Sequence, residues 1–181
     1  MLIDPKNSCL LVVDVQEKLV HAVHESARLI ENCLWLLNVA NRLQIPMLIS
    51  EQYPRGLGKT IPELLSLVPA EQVMEKVHFS CATSPSCAVL LEKVTVRQFV
   101  LIGIESHVCV LQTAIGLLEA GYQVFVVADA VSSRSAQDKE FALARMQALG
   151  VQIVSREMVF FEWVQQAGTP EFKQLSKDFL Q

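Results

Sequence analysis

The feature that most restricts this chain is a repeated alternation of short, wholly apolar runs with longer amphipathic stretches. Ser8-Cys9-Leu10-Leu11-Val12-Val13-Asp14 opens the series. Five consecutive apolar residues leave no polar face for water, which predicts a strand buried on both sides. From Glu25 to Leu43, Ala27, Ile30, Leu34 and Leu37 recur at helical spacing, and Pro46 closes the segment. Met47-Leu48-Ile49-Ser50 predicts a second strand. Glu51–Thr60, holding Pro54, Gly56 and Gly58, reads as a loop long enough to suggest function. A short strand around Val73–Val77 precedes a loop and a helix over about Ser84–Lys93. Gln98–Ile102 is the next buried strand, followed by a helix from near His107 to Ala120 that stops at Gly121. Val124–Ala128 predicts a strand ending at Asp129, Ala136–Leu149 a helix stopping at Gly150, and Val151–Ser155 a further core strand. The tail, through Phe160, Phe161, Trp163, Phe172 and Phe179, reads as helical, with aromatics expected to pack on a partner subunit.

Strand and helix alternating in this way call for a three-layer α/β/α sandwich with a mainly parallel, doubly wound, Rossmann-like central sheet. No linker, repeat or low-complexity tract interrupts it, so residues 1–181 are expected to form one domain, with a core over about 8–155 and a helical tail over about 158–181. With 51% hydrophobic and 19% charged residues the chain is too apolar for disorder, and 7 Gly and 7 Pro are too few for a fibre. Fifteen basic against 19 acidic residues, net charge −4 and without basic runs, give no footprint for nucleic acid. No apolar run approaches the roughly 20 residues of a membrane span. Met1–Asn7 carries no targeting signal, so a cytoplasmic protein is expected. Five cysteines, an odd number without a Cys-x-x-Cys pair, suit free thiols in a reducing compartment.

Ligands of such sheets sit at the C-terminal ends of the strands, so polar residues there are the candidates. Asp14 directly follows an apolar run, where a carboxylate is desolvated unless paired; a cap or turn role is the alternative. Lys76 stands near the end of the third strand, against the alternative of a solvated surface lysine. Cys109 falls in the opening turn of a helix, where the dipole and unpaired N–H groups favour thiolate. The alternative is a small buried hydrophobe. Acid, ammonium and thiol at three strand ends make a nucleophilic site: the carboxylate takes the thiol proton, and helix-start N–H groups hold an oxyanion. Cys9 and Cys33 read as structural, and Cys81 and Cys87 have no evident role.

Four strings carry a resemblance: Leu11-Val12-Val13-Asp14-Val15-Gln16, Glu75-Lys76, Gly103-Ile104-Glu105-Ser106-His107-Val108-Cys109-Val110, and Val127-Ala128-Asp129-Ala130-Val131-Ser132-Ser133-Arg134. In this order they resemble the isochorismatase-like cysteine hydrolase superfamily from about Ser8 to Val154, and Glu51-Gln52-Tyr53-Pro54 resembles its isochorismatase domain-containing subgroup. The resemblance implies Asp14 as general base, Lys76 as catalytic lysine and Cys109 as nucleophile. It also implies a cis peptide at Ile104–Glu105 that aims the Glu105 N–H, with that of Cys109, into an oxyanion hole. Nicotinamidase-like members carry an aspartate and histidines after the second strand; Ser50–Gly58 holds no histidine and one glutamate, so no metal and no cofactor are expected. Siderophore-type isochorismatases often lack the cysteine, so Cys109 points to acyl transfer through a thioester.

The expected activity is therefore hydrolysis of a small-molecule amide or related C–N or ester bond, by a homo-oligomer that is a dimer, tetramer or larger. Tyr53, Arg55 and His107 are candidates for the pocket wall, His107 alternatively bonding its own backbone. A competing reading is a catalytically weak oligomeric scaffold that keeps the fold. A dinucleotide-binding protein is disfavoured, because no Gly-x-Gly-x-x-Gly follows the first strand.

Overall fold

The apolar runs become six strands of one sheet. In the computed structural model, which describes residues 1–180, they are β1 (Ser8–Val13), β2 (Met47–Gln52), β3 (Val73–Lys76), β4 (Gln98–Ile104), β5 (Gln123–Ser132) and β6 (Gln152–Val154). Their order is β3-β2-β1-β4-β5-β6, and every neighbouring pair is parallel. The strand order turns back between β1 and β4, so the crevice beyond their C-terminal ends is where such a sheet takes ligands. Helices α1 (Ser26–Arg42), α2 (Pro54–Leu57), α3 (Pro62–Leu65), α4 (Pro85–Lys93), α5 (Leu111–Glu119), α6 (Ala136–Ala148), α7 (Arg156–Val164) and α8 (Pro170–Phe179) connect and flank the strands. None of them is long and apolar enough to cross a membrane.

Successive strand residues point to opposite faces, and that parity assigns the helices to two layers. Leu10 and Val12, with Val100, Ile102, Phe125 and Val127, pack with Leu29, Leu36 and Leu37 of α1, Phe160 of α7 and Leu175 of α8. Cys9, Leu11 and Val13, with Phe99, Leu101, Val124 and Val126, pack with Leu91 of α4, Leu117 of α5 and Met146 of α6. Where β1 and β4 meet at the turning point the backbones come too close for a side chain. Gly103 has φ +113°, and a Cβ there would lie 2.1 Å from the Val13 carbonyl oxygen.

Three sequence expectations need correction. The loop foreseen over Glu51–Thr60 is partly ordered, because β2 continues through Gln52 and Pro54–Leu57 forms the short α2. The strand foreseen over Val124–Ala128 does not stop at Asp129. The β4–β5 ladder pairs Leu101 with Val126, then Gly103 with Val131, so the residues between bulge out and β5 resumes to Ser132. Asp129 lies in that bulge, where its Oδ1 accepts the Arg156 N–H at 2.9 Å. Finally, the aromatic tail packs on its own chain rather than awaiting a partner. Phe160 and Trp163 are buried, and the Trp163 indole donates to Ser8 Oγ at 3.0 Å. Trp35 of α1 meets Phe160 and Phe179 with centroids 5.7 and 5.9 Å apart and donates to the Phe179 carbonyl at 2.9 Å. Of the large aromatics in the tail, Phe161 is the one left well exposed.

Candidate active site

Asp14 immediately follows β1 and takes a left-handed backbone, φ +52°. Aspartate tolerates this region better than most residues, and such outliers concentrate at functional sites. The residue is almost wholly buried, and its two carboxylate oxygens have separate partners. Oδ1 accepts the Ser50 hydroxyl at 2.7 Å, and Oδ2 accepts the Lys76 ammonium at 2.7 Å. Burial pushes the Asp14 carboxyl above its ordinary value, and Lys76 and Ser50 pull it back.

Lys76 ends β3, and its side chain is fully buried rather than solvated. Besides Asp14 it donates to Gln52 Oε1 at 2.6 Å. Burial opposes the ammonium, but the carboxylate of Asp14 and the sulfur of Cys109 outweigh it and raise Lys76 above the ordinary lysine range. Each group is thus the other's buried counter-ion.

Cys109 lies in a π-helical turn, Ser106–Val110, between β4 and α5, in which the Val110 N–H reaches the Glu105 carbonyl at 3.1 Å. Turns of this kind occur disproportionately at functional sites. The turn brings the thiol beside both Asp14 and Lys76, close enough for each to act on it. The three sequence candidates thus converge, from the ends of β1, β3 and β4. One electrostatic expectation is reversed, however. Burial pushes the Cys109 thiol up to about 12, the Asp14 carboxylate adds to the effect, and Lys76 offsets only part of it. A helix start lowers a thiol only where the thiolate is solvated or faces net positive charge; here Cys109 as a whole is 7% exposed and its sulfur faces a carboxylate. The resting group is the neutral thiol.

Ser50 and Gln52, two residues apart on β2, share a strand face and each hold one member of the ion pair. Sequence reasoning missed both. The available signal was a polar–x–polar ending on a buried apolar run.

An isochorismatase domain model matches residues 8–158. The chain belongs to the isochorismatase domain family. It is 40% identical over 174 residues to isochorismatase domain-containing protein 2 of Danio rerio, covering 95% of this chain and 86% of that protein. It is 39% identical over 173 residues to isochorismatase domain-containing protein 1 of the same species, spanning 96% of this chain but only 61% of the relative. Among solved structures, the MAR1 ribonuclease from Caenorhabditis elegans superposes with TM-score 0.91 at 38% identity, covering 100% of this chain and 93% of that one. The YcaC gene product of Escherichia coli, an octameric hydrolase of unknown specificity, gives 0.92 at 22% identity over 99% and 91% of the two chains, a likeness of fold. The isochorismatase assignment brings with it a hydrolase-type fold.

Around this isochorismatase-family core the remaining sequence candidates sort by position. The Ile104–Glu105 peptide is cis. The Glu105 carboxylate turns to Arg134, accepting its backbone N–H at 2.9 Å and its Nε at 3.1 Å. Among the described residues His107 bonds none of Asp14, Lys76 and Cys109, nor its own backbone; its Nδ1 lies 3.0 Å from Ser133 Oγ. Tyr53 is half-exposed beside the site, with its N–H on the Lys76 carbonyl at 2.7 Å and its ring against Gly56. Arg55 is exposed and makes no side-chain hydrogen bond or ion pair among the described residues. Glu51, the acid counted in the loop, is a buried β2 residue that accepts the Thr60 N–H at 2.7 Å.

Proposed function

We propose that this isochorismatase-family chain is a cysteine-dependent hydrolase of small amides or related carbonyl compounds, residues 1–181 acting as one domain. The observation that carries the reading is the buried Asp14–Lys76 ion pair with the Cys109 thiol in reach of both groups. Because the resting thiol is neutral, the thiolate is made on demand. As the substrate carbonyl arrives, Asp14 takes the thiol proton and the sulfur attacks the carbonyl carbon. The backbone N–H groups of Glu105 and Cys109 take the developing oxyanion. The tetrahedral adduct collapses, and protonated Asp14 gives its proton to the departing amine, which leaves a thioester on Cys109. Asp14 then deprotonates a water that attacks the thioester, and the returning proton restores the thiol. Lys76 stays charged throughout and favours carboxylate and thiolate alike.

The slight exposure of Cys109 supports a small substrate, with Tyr53, Arg55 and His107 proposed around the approach. A homo-oligomer is proposed by similarity to the octameric E. coli hydrolase. Similarity to a protein named a ribonuclease raises a second reading, phosphodiester cleavage. The buried part of the site favours a carbonyl, because the Lys76 ammonium beside the sulfur is already committed to the Asp14 carboxylate rather than free for a phosphate. Assays on a panel of small amides, esters and RNA oligonucleotides separate these readings. Cys109→Ala is expected to cut hydrolysis of the amide or ester substrate by about 10³-fold or more with the fold retained. Undiminished turnover in that variant, or RNA cleavage that survives it, overturns the reading.

A further inference from the structure

Besides the Cys81 thiol, which also acts on it, the Lys76 ammonium has three neighbours, and two of them, Asp14 and Cys109, belong to the chemistry proposed above. The third is Gln52, whose place is fixed from several sides. Gln52 and Lys76 are register partners in the parallel β2–β3 pair. The Gln52 side-chain Nε2 donates to the Val77 carbonyl at 2.9 Å, which leaves its Oε1 turned to the ammonium at 2.6 Å. Its backbone is clamped by a second buried amide. Gln16 Oε1 accepts the Gln52 N–H at 2.7 Å, and Gln16 Nε2 donates to the carbonyls of Gln52 and Gly58 at 3.0 and 2.6 Å. An acid stands next in sequence, but strand alternation sends Glu51 to the opposite face, where it holds Thr60. The position against Lys76 is thus filled by a neutral acceptor, one residue away from an acid of the same length.

We infer that Gln52 is a positioning residue for the proposed hydrolase: it fixes the Lys76 ammonium with a neutral oxygen, which draws none of its positive charge away from Asp14 and the Cys109 sulfur. A carboxylate at that oxygen would take part of the same charge and leave less for a forming thiolate. The inference rests on the function proposed above only for its effect on turnover; its electrostatic content is read without substrate.

The test is the rate at which iodoacetamide alkylates Cys109 as a function of pH, followed by peptide mass spectrometry. The other four cysteines are fully buried, and Cys109→Ala gives the blank. Gln52→Glu is expected to slow alkylation at a given pH by about tenfold, the effect of a one-unit rise in the thiol pKa. Gln52→Met, similar in size but unable to accept, is expected to slow it less, by about threefold, through loss of ammonium position. With a substrate in hand, kcat falls in parallel and KM holds. If Gln52→Glu does not fold, Gln52→Met carries the test. Wild-type alkylation profiles in the folded variants, or a loss of melting temperature without any change in profile, overturn the inference. Should Cys109 prove not to be the nucleophile, the alkylation comparison still reports the charge of Lys76.

Discussion

Lys76 carries a positive charge into the buried interior, and the polar groups around it answer that charge. Removing one partner of a buried pair strands the other, at about 3–5 kcal/mol. Lys76→Met leaves the upward push of burial on Asp14 opposed only by weaker hydrogen bonds such as that from Ser50, so its folded pKa rises further above the unfolded value. A raised folded pKa gives stability that is fully present below the unfolded value and is lost as pH rises through the folded one. The Lys76→Met deficit in urea unfolding is therefore expected to be smaller near pH 5 than near pH 8, and a deficit independent of pH contradicts the pairing. At this scale the sequence exposed the ionisable residues, because a charge directly after an apolar run has few neutral explanations. Ser50 and Gln52 stayed hidden, since an uncharged polar residue at a strand end is common and its partner is distant in the chain. The state of the Cys109 thiol was misjudged for a related reason: a helix start is visible in sequence, whereas burial against a carboxylate is not.

Strands and helices were largely legible because each apolar run is bounded by glycine, proline or charge. The irregular elements were not. The π-helical turn that aims Cys109 and the bulge in β5 depend on how one element seats against another, and neither leaves a periodicity. Gly103 shows the coupling between element and site. Its positive φ and its closeness to Val13 let β1 and β4 meet where Asp14 and the cysteine turn begin. Gly103→Ala is expected to cost several kcal/mol, about 1–3 from the backbone conformation and a similar amount from overpacking. Denaturant unfolding measures this, and a loss below about 1 kcal/mol would show that the strands separate freely.

Across the whole molecule the two-layer division follows from strand parity and was implicit in the doubly apolar runs. The docking of the aromatic tail was not, because aromatic residues suit a subunit interface and an internal seam equally well. Burial also sets a molecular pH limit. Cys9 and Cys109 are both pushed from 9.0 up to about 12, so the folded chain holds protons that the unfolded chain has released. That stability is complete below pH 9.0 and is lost as pH climbs toward 12, at about 1.4 kcal/mol per pH unit for each thiol. Under reducing conditions the urea midpoint is expected to hold near pH 8 and fall beyond 9.0, with Cys9→Ala weakening the fall; equal midpoints on both sides contradict it. The proposed function stands or falls on covalent chemistry at one sulfur, which rapid mixing of the intact protein with p-nitrophenyl acetate reads directly. It predicts a burst approaching one equivalent of p-nitrophenol per chain and an acetyl group mapped to Cys109, both absent from Cys109→Ala. No burst, or a burst and adduct that persist in that variant, contradicts it.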